Sequence, residues 1–191
     1  MRILSVMLIL LLQACERSAN SKTMTNPIAQ ESLLSPGLEV SIGITRQALF
    51  GDLHVHTMYS FDAFIFGTVA SPDMAYEFAK GASIKHPGGF EMKLREPLDF
   101  YAITDHASYM GSLKAMTDPS TEISKHQLAK GMQDLSSAEK RLAQFRKILD
   151  FLATDQREEL IDEAVFRNAW DDIKSAAERH NDPGYFTTFV A

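Results

Sequence analysis

The stretch that decides the fold is GDLHVHTMYSFD at residues 51–62, where an apolar run ends in His54 and His56. A second apolar run ends in ITDH at residues 103–106, which places His106 after another strand-like segment. Side chains alternate along a β-strand, so His54 and His56 are expected to project together, about 6.6 Å apart along the chain. If the two strands are parallel, all three imidazoles lie at carboxyl ends of strands, where α/β folds build active sites. The pattern therefore predicts a metal site.

Three segments have the composition of β-strands: residues 48–55, 98–104 and 185–190. The first is expected to be a short buried strand, because four of its residues are large and apolar: Leu49, Phe50, Leu53 and Val55. The last is rich in Tyr, Phe, Thr and Val, which strands favour. Long helical patterns separate the strands, and this favours parallel pairing.

Three helical patterns lie between these strands. The first begins with Ser71 as the N-cap and Pro72 at the first helical position. The second opens with a capping box of Ser136 and Glu139, and the third covers residues 161–177. The element order β–α–β–α–α–β predicts an α/β fold with a parallel sheet or a barrel.

Carboxylates and hydroxyls accompany the three histidines. Asp62 follows the first motif closely enough to fold back as an oxygen ligand. Asp52 and Asp105 flank the imidazoles and are expected to orient them or to bind metal directly. Thr57 and Ser60 supply hydroxyls that can hydrogen-bond the ligands. A mixed imidazole and carboxylate set suits Zn, Mn or Fe, and a chain with one cysteine cannot build a thiolate-rich site.

The alternative is that surface histidines fall two residues apart by chance. The second Asp-His pair, at the end of another apolar segment, argues against that alternative. The remaining histidines are not predicted to be ligands. His86 and His126 lie in polar or loop-like surroundings and are expected to be exposed to solvent. His180 precedes a helix-stopping segment at residues 181–184, so we interpret it as a favourable charge at a helix C-terminus.

Composition limits the classes of function. The chain has 191 residues, enough for one ordinary domain with a core. Its formal net charge is −6, whereas nucleic-acid binding needs clustered Lys and Arg to neutralise phosphates. A nucleic-acid partner is therefore not expected.

Residues 1–14 have the pattern of an export signal, with an apolar run that is too short to span a bilayer. The single cysteine, Cys15, follows this run, an arrangement that resembles the bacterial lipoprotein signal, in which the cysteine is lipidated. The alternative is a plain secretory signal with an incidental cysteine. Residues 15–45 are rich in Ser, Asn, Thr, Gln and Pro and have the composition of a flexible tether. These features predict an exported protein, periplasmic or envelope-facing, anchored to the membrane through a lipid on Cys15.

The paired motifs, residues 52–62 and Thr104-Asp105-His106, resemble the first two motifs of the PHP (polymerase and histidinol phosphatase) superfamily. Within it, residues 50–57 and 97–100 are most similar to an uncharacterised group of exported bacterial proteins that carry a domain of unknown function. The resemblance covers about residues 49–191. It implies a distorted β/α barrel that holds a di- or trinuclear metal centre.

Carried over by position, the resemblance implies that His54 and His56 bind one metal ion, while Asp62 and His106 bind a neighbouring one. Superfamily members also need a bridging Glu at the end of the third strand, followed by further His and Asp ligands. In this sequence the third strand runs into Ala191. We therefore expect residues 46–191 to be the N-terminal portion of an incomplete PHP-type barrel, with weak metal affinity and no turnover of its own.

The expected activity of the complete protein is phosphoester hydrolysis, with two or three metal ions activating water and a small phosphorylated compound as the substrate. No nucleophile motif of the G-x-S-x-G or Walker A type is present, which agrees with attack by water. Two alternatives stay open. One is a non-catalytic envelope lipoprotein that keeps the fold for binding, and the other is an amidohydrolase-like metal hydrolase.

Overall fold

The computed structural model describes residues 47–191. The predicted export signal at residues 1–14, Cys15 and the tether at residues 15–45 lie outside the described residues. Within the described range, none of the helices combines the length and the apolar character that crossing a lipid bilayer requires.

The described part of the chain contains five strands and six helices. The strands are β1 (Gly51–Val55), β2 (Ile84–Lys85), β3 (Glu91–Met92), β4 (Phe100–Ile103) and β5 (Thr187–Val190). The helices are α1 (Phe61–Ile65), α2 (Pro72–Ala79), α3 (Ser112–Ala115), α4 (Ala129–Met132), α5 (Ala138–Leu152) and α6 (Glu163–His180). Two 3-10 turns, Glu122–Lys125 and Arg157–Leu160, complete the regular structure of this part of the chain.

Strands β1, β4 and β5 form one parallel sheet, with β4 between β1 and β5. The fold is therefore α/β with a parallel sheet, as the element order predicts. The pairing of β1 with β4 is irregular between Asp52 and Val55, the segment that contains His54. Strands β2 and β3 form a separate antiparallel hairpin, which the sequence analysis missed because each strand has two residues.

The expectation that the first strand is buried is wrong. Leu53 is 56 % exposed, Phe50 is 69 % exposed, and only Val55 on β1 is partly buried. The reason is the position of β1 at the edge of the sheet, because the helices α2 and α6 pack mainly on β4 and β5. Strand β4, which lies in the centre, has three buried residues out of four.

The helices begin largely where their capping residues predict. Ser71 caps α2 by accepting a hydrogen bond from the Met74 N–H at 3.2 Å. Helix α5 is capped by Ser137 instead of Ser136, which corrects the predicted capping box. The hydroxyl of Ser136 donates to the Asp134 carboxylate at 2.7 Å instead of capping the helix. Its neighbour is therefore the residue that accepts from the first turn.

Two apolar clusters make up the core. The first fills the space between the sheet, α2 and α6, and its large buried members are Tyr76, Tyr101, Ile103, Ile173 and Phe186. The second joins α1, α3 and α5, and its large buried members are Ile65, Leu113, Met116, Ile148 and Leu160. The first cluster supports the carboxyl ends of β1 and β4, and the second supports the helix that follows β1. Together they hold in place the loop that carries the predicted ligands.

Candidate metal centre

His54 and His56 converge at the carboxyl end of β1. Their Nε2 atoms are 3.0 Å apart, and their rings meet edge to face. Two nitrogens bound to one tetrahedral zinc ion at about 2.05 Å lie roughly 3.3 Å apart, so the observed separation suits a shared ion. Asp52 accepts the backbone N–H of His54 at 2.9 Å, which holds the chain at this point. The predicted same-face projection of the two imidazoles is confirmed.

Asp62 and His106 complete the cluster from two other segments. Asp62 lies in the first turn of α1, and its Oδ2 is 3.2 Å from Nε2 of His106, which follows β4. His56, Asp62 and His106 each offer one ligand atom, and these atoms all lie within 4.8 Å of one another. The rings of His56 and His106 are 4.6 Å apart. His56 therefore lies close both to His54 and to the pair of Asp62 and His106. The prediction that His54 and His56 bind one ion while Asp62 and His106 bind another stays a prediction.

A buried carboxylate supports this cluster from behind. Asp105 is 8 % exposed, and its oxygens accept four hydrogen bonds. Two come from the backbone N–H groups of Thr57 and Ser60, at 2.6 and 3.1 Å. Two come from the hydroxyls of the same residues, at 2.5 and 2.7 Å. Asp105 thus fixes the loop between β1 and α1, which is the orienting role that the sequence left open beside direct metal binding.

The hydroxyl of Ser60 sets the tautomer of His56. Its single proton is donated to Asp105, and one lone pair accepts the His106 N–H at 3.0 Å. Nδ1 of His56 lies 2.8 Å from the same oxygen, so this nitrogen must be the donor. The proton of the neutral imidazole is then on Nδ1, and Nε2, which lies 3.0 Å from Nε2 of His54, keeps its lone pair. This is the arrangement that a histidine needs in order to bind metal through Nε2.

The charge around the cluster favours a cation. Asp62 has no Lys or Arg within 4.0 Å in the part of the chain that the structure describes, and its ionic contact is with His106. Both residues are well exposed, with 39 % and 44 % of the side-chain surface accessible. A carboxylate without a basic partner, next to convergent imidazoles, fits a divalent ion.

The other histidines lie elsewhere. His180 is not part of the cluster. Its Nε2 lies 3.0 Å from the carboxylate of Asp73 at the start of α2. His86 is partly buried and stacks on Phe90. The expectation that His126 is exposed is wrong, since only 10 % of its side chain is accessible. It packs edge to face on Phe151, which the sequence places far from it.

Tyr59 is a supporting residue that the sequence analysis missed. Its hydroxyl donates to the Asp172 carboxylate of α6 at 2.8 Å, and its carbonyl accepts the Gly111 N–H at 2.8 Å. Burial, together with the neighbouring Asp172, raises the pKa of the Tyr59 phenol. Tyr59 thus connects the ligand loop to α6. Its position between Thr57 and Ser60 was the available signal, but no local pattern points to a partner so distant in the chain.

The comparisons with known proteins give one match. A family model described as "Protein of unknown function (DUF3604)" matches residues 44–191, which is most of the chain and includes every residue of the cluster. Neither the curated proteins nor the solved structures contain a match.

Proposed function

We propose that the chain, which belongs to the DUF3604 family, is a metal-dependent hydrolase and that its reaction is the hydrolysis of a phosphoester. The observation that carries the proposal is that His56, Asp62 and His106 each offer one ligand atom and that these atoms all lie within 4.8 Å of one another. Nε2 of His54 lies 3.0 Å from Nε2 of His56 and offers a further imidazole donor beside these three residues.

The residues of this chain have separable roles in the proposed site. His54, His56, Asp62 and His106 would hold a divalent ion. A divalent ion bound there supplies Lewis acidity, which acidifies water and neutralises charge on a phosphoryl group. Asp105 acts through Ser60, because the hydroxyl of Ser60 keeps the proton of His56 on Nδ1 and positions the backbone of His106. The sequence holds no G-x-S-x-G or Walker A motif, which suits attack by water instead of by a side chain.

The position of the cluster supports a barrel of the PHP type as part of this proposal. The ligands follow the carboxyl ends of β1 and β4, which are neighbours in a parallel sheet. Active sites of β/α barrels lie at this end of the strands. The substrate that we propose is a small phosphorylated compound. Export and lipid anchoring at Cys15 belong to the proposal as well, and the sequence of residues 1–15 supports them.

The test is a hydrolysis assay on the full-length protein after addition of Zn²⁺ or Mn²⁺, with 4-nitrophenyl phosphate as the substrate. We expect metal-dependent release of 4-nitrophenol, which His56→Ala abolishes. His180→Ala is the matched control, because it removes an imidazole that contacts Asp73 and not the cluster. Equal turnover by His56→Ala would contradict the mechanism. Saturable metal binding without hydrolysis of any phosphoester would instead favour the alternative of a non-catalytic envelope lipoprotein that keeps the fold for binding.

A further inference from the structure

A cavity of about 360 Å³ begins one residue after the ligand His106. Ala107, Ser108 and Tyr109, which directly follow His106, line the cavity together with Phe166 of α6. This volume lies within the range of about 300–1,000 Å³ that is typical of small-molecule sites. The proposed metal cluster and the cavity are therefore built from the same short segment.

The ring of Phe61 lies next to both the ligand His106 and Tyr109, one of the residues that line the cavity. Its ring centroid is 5.5 Å from the ring of His106 and 6.3 Å from the ring of Tyr109. The ring of Tyr109, which lines the cavity, is thus no more than about 12 Å from the imidazole of His106. A compound of one or two aromatic rings with a phosphoryl group can span this distance.

The wall next to His106 has an unusual backbone conformation. Tyr109 has a φ of +56°, the left-handed region that bulky residues seldom adopt. The neighbouring chain holds it there, because Ser112 donates its N–H to the Tyr109 carbonyl at 3.0 Å and its hydroxyl to the Leu160 carbonyl at 2.8 Å. Strained residues that the surroundings hold in place cluster at functional sites. Here the strained residue is one of those that line the cavity.

The chemistry of the lining selects the type of group that fits. Most of the lining is apolar and includes Tyr109, Met110, Ile161 and Phe166. The two charged residues of the lining are Asp162 and Glu163, and both are acids. Asp162 is engaged as the N-cap of α6, whereas Glu163 is 75 % exposed and contacts Arg167. Among the described residues, the lining holds no Lys or Arg that could pair with a second negative charge on the ligand, so burying such a charge is costly, whereas an uncharged ring is buried among apolar side chains.

We infer that this cavity holds the organic part of the phosphoester and selects an uncharged aromatic or apolar group over one that carries further negative charge. The inference rests on the proposed hydrolase function for its connection to turnover. The cavity itself is tested without metal and without turnover.

The binding experiment titrates the metal-free protein with 1-naphthol in a calorimeter. We expect saturable binding, weakened at least tenfold by Phe166→Ala. Phe90→Ala is the matched control, since Phe90 lies in the turn between β2 and β3 and leaves the cavity intact. Because Phe166 also packs against the core, Ser108→Trp is the second variant: it fills the cavity from an exposed loop position. The absence of saturable binding, or wild-type binding by Ser108→Trp, would overturn the inference.

The turnover experiment compares phenyl phosphate with 4-carboxyphenyl phosphate in the metal-loaded protein. We expect kcat/KM to favour phenyl phosphate at least tenfold, and Glu163→Lys to reduce that ratio at least threefold. Glu178→Lys makes the same change of charge near the other end of α6, roughly 22 Å away, and should leave the ratio unchanged.

The two experiments separate the two proposals. If no phosphoester is hydrolysed but 1-naphthol binds and Ser108→Trp blocks it, the proposed hydrolase function fails and the cavity stands as a site for aromatic compounds. If phosphoesters are hydrolysed but the substrate ratio is near one, or if Glu163→Lys and Glu178→Lys alter it equally, the inference about the cavity is wrong and the hydrolase function stands.

Discussion

Two regions of the molecule pair a histidine with an aspartate at almost the same distance. His106 lies 3.2 Å from Asp62 at the candidate metal centre, and His180 lies 3.0 Å from Asp73 where α2 meets α6. The surroundings differ. Asp73 also binds the guanidinium of Arg179 at 2.7 Å, and this contact is the main reason that the pKa of Asp73 is lowered. Asp62 has no such partner in the described range, and a second imidazole converges on it.

The difference shows that a His–Asp contact is not sufficient to identify a metal site. At α2 and α6 the negative charge is neutralised by arginine, and the imidazole of His180 stacks on Tyr76. That region is a structural ion pair. At the candidate metal centre Asp62 has no Lys or Arg partner among the described residues, and the hydroxyl of Ser60 holds the proton of His56 on Nδ1. Four substitutions test this contrast.

The largest effect is expected from His56→Ala. His56 lies close to His54 on one side and to Asp62 and His106 on the other, so its loss should lower the affinity for Zn²⁺ by more than about 100-fold. Loss of a residue that only hydrogen-bonds to a ligand typically costs about 10–100-fold in affinity. The measurement is isothermal titration of the protein with Zn²⁺. His180→Ala is the comparison from the other region and should bind Zn²⁺ as the wild type does. Equal losses in the two variants would erase the distinction between the regions.

Ser60→Ala is expected to have the next largest effect. The variant loses the oxygen that accepts from His56 and His106 and donates to Asp105. Metal affinity should fall about 10–100-fold, because the tautomer and orientation of His56 are no longer set. The free energy of unfolding should fall by about 1–3 kcal/mol, since buried groups lose a partner. Zn²⁺ titration and urea unfolding measure the two quantities. Wild-type affinity in a folded variant would show that Ser60 does not position His56.

Tyr59→Phe tests the link between the two regions. Its hydroxyl donates to Asp172, which in turn lies 3.8 Å from Arg179. Loss of this half-buried hydrogen bond to a carboxylate should cost about 1–2 kcal/mol of unfolding free energy. Metal affinity should change by less than about threefold, because the Asp105 network still holds the ligand loop. A tenfold or larger loss of affinity would mean that the two regions are energetically one site.

Asp73→Asn is expected to have the smallest effect, and one that depends on pH. The folded pKa of Asp73 lies below its ordinary value of 3.8, so the stability it contributes is fully present above about pH 4. That contribution is lost as the pH falls through the lowered folded pKa. The pair is partly exposed, so it is worth less than about 1 kcal/mol. Urea unfolding between pH 2 and pH 6 should show a shallower loss of stability toward acid pH in the variant. Parallel curves would contradict this assignment.

The features that the sequence predicted correctly are local ones. Alternation along a strand is enough to place His54 and His56 side by side, and the Ser71-Pro72 pair is enough to begin α2. The burial of β1 was predicted wrongly because it depends on the order of strands in the sheet. The burial of His126 depends on contact with Phe151, which tertiary packing brings from another helix.

In the candidate site, too, the sequence predicted the local features and did not predict those that depend on tertiary contacts. The ligand types and the carboxylate of Asp62 could be read from the motifs, and the structure brings them together. The role of Asp105 stayed open between orienting and binding, because its burial and its four hydrogen bonds arise only when the loop closes over it. The hydrogen bond from Tyr59 to Asp172 joins residues that are more than a hundred positions apart in the sequence, and no sequence pattern predicts it.

The most direct test of the central claim is ¹⁵N NMR of the histidine side chains during titration with Zn²⁺. We expect Zn²⁺ to shift the Nε2 resonances of His56 and His106, while His56 keeps its proton on Nδ1 and the resonances of His126 and His180 stay unchanged. Shifts confined to His180, or no saturable change at His56 and His106, would contradict the account.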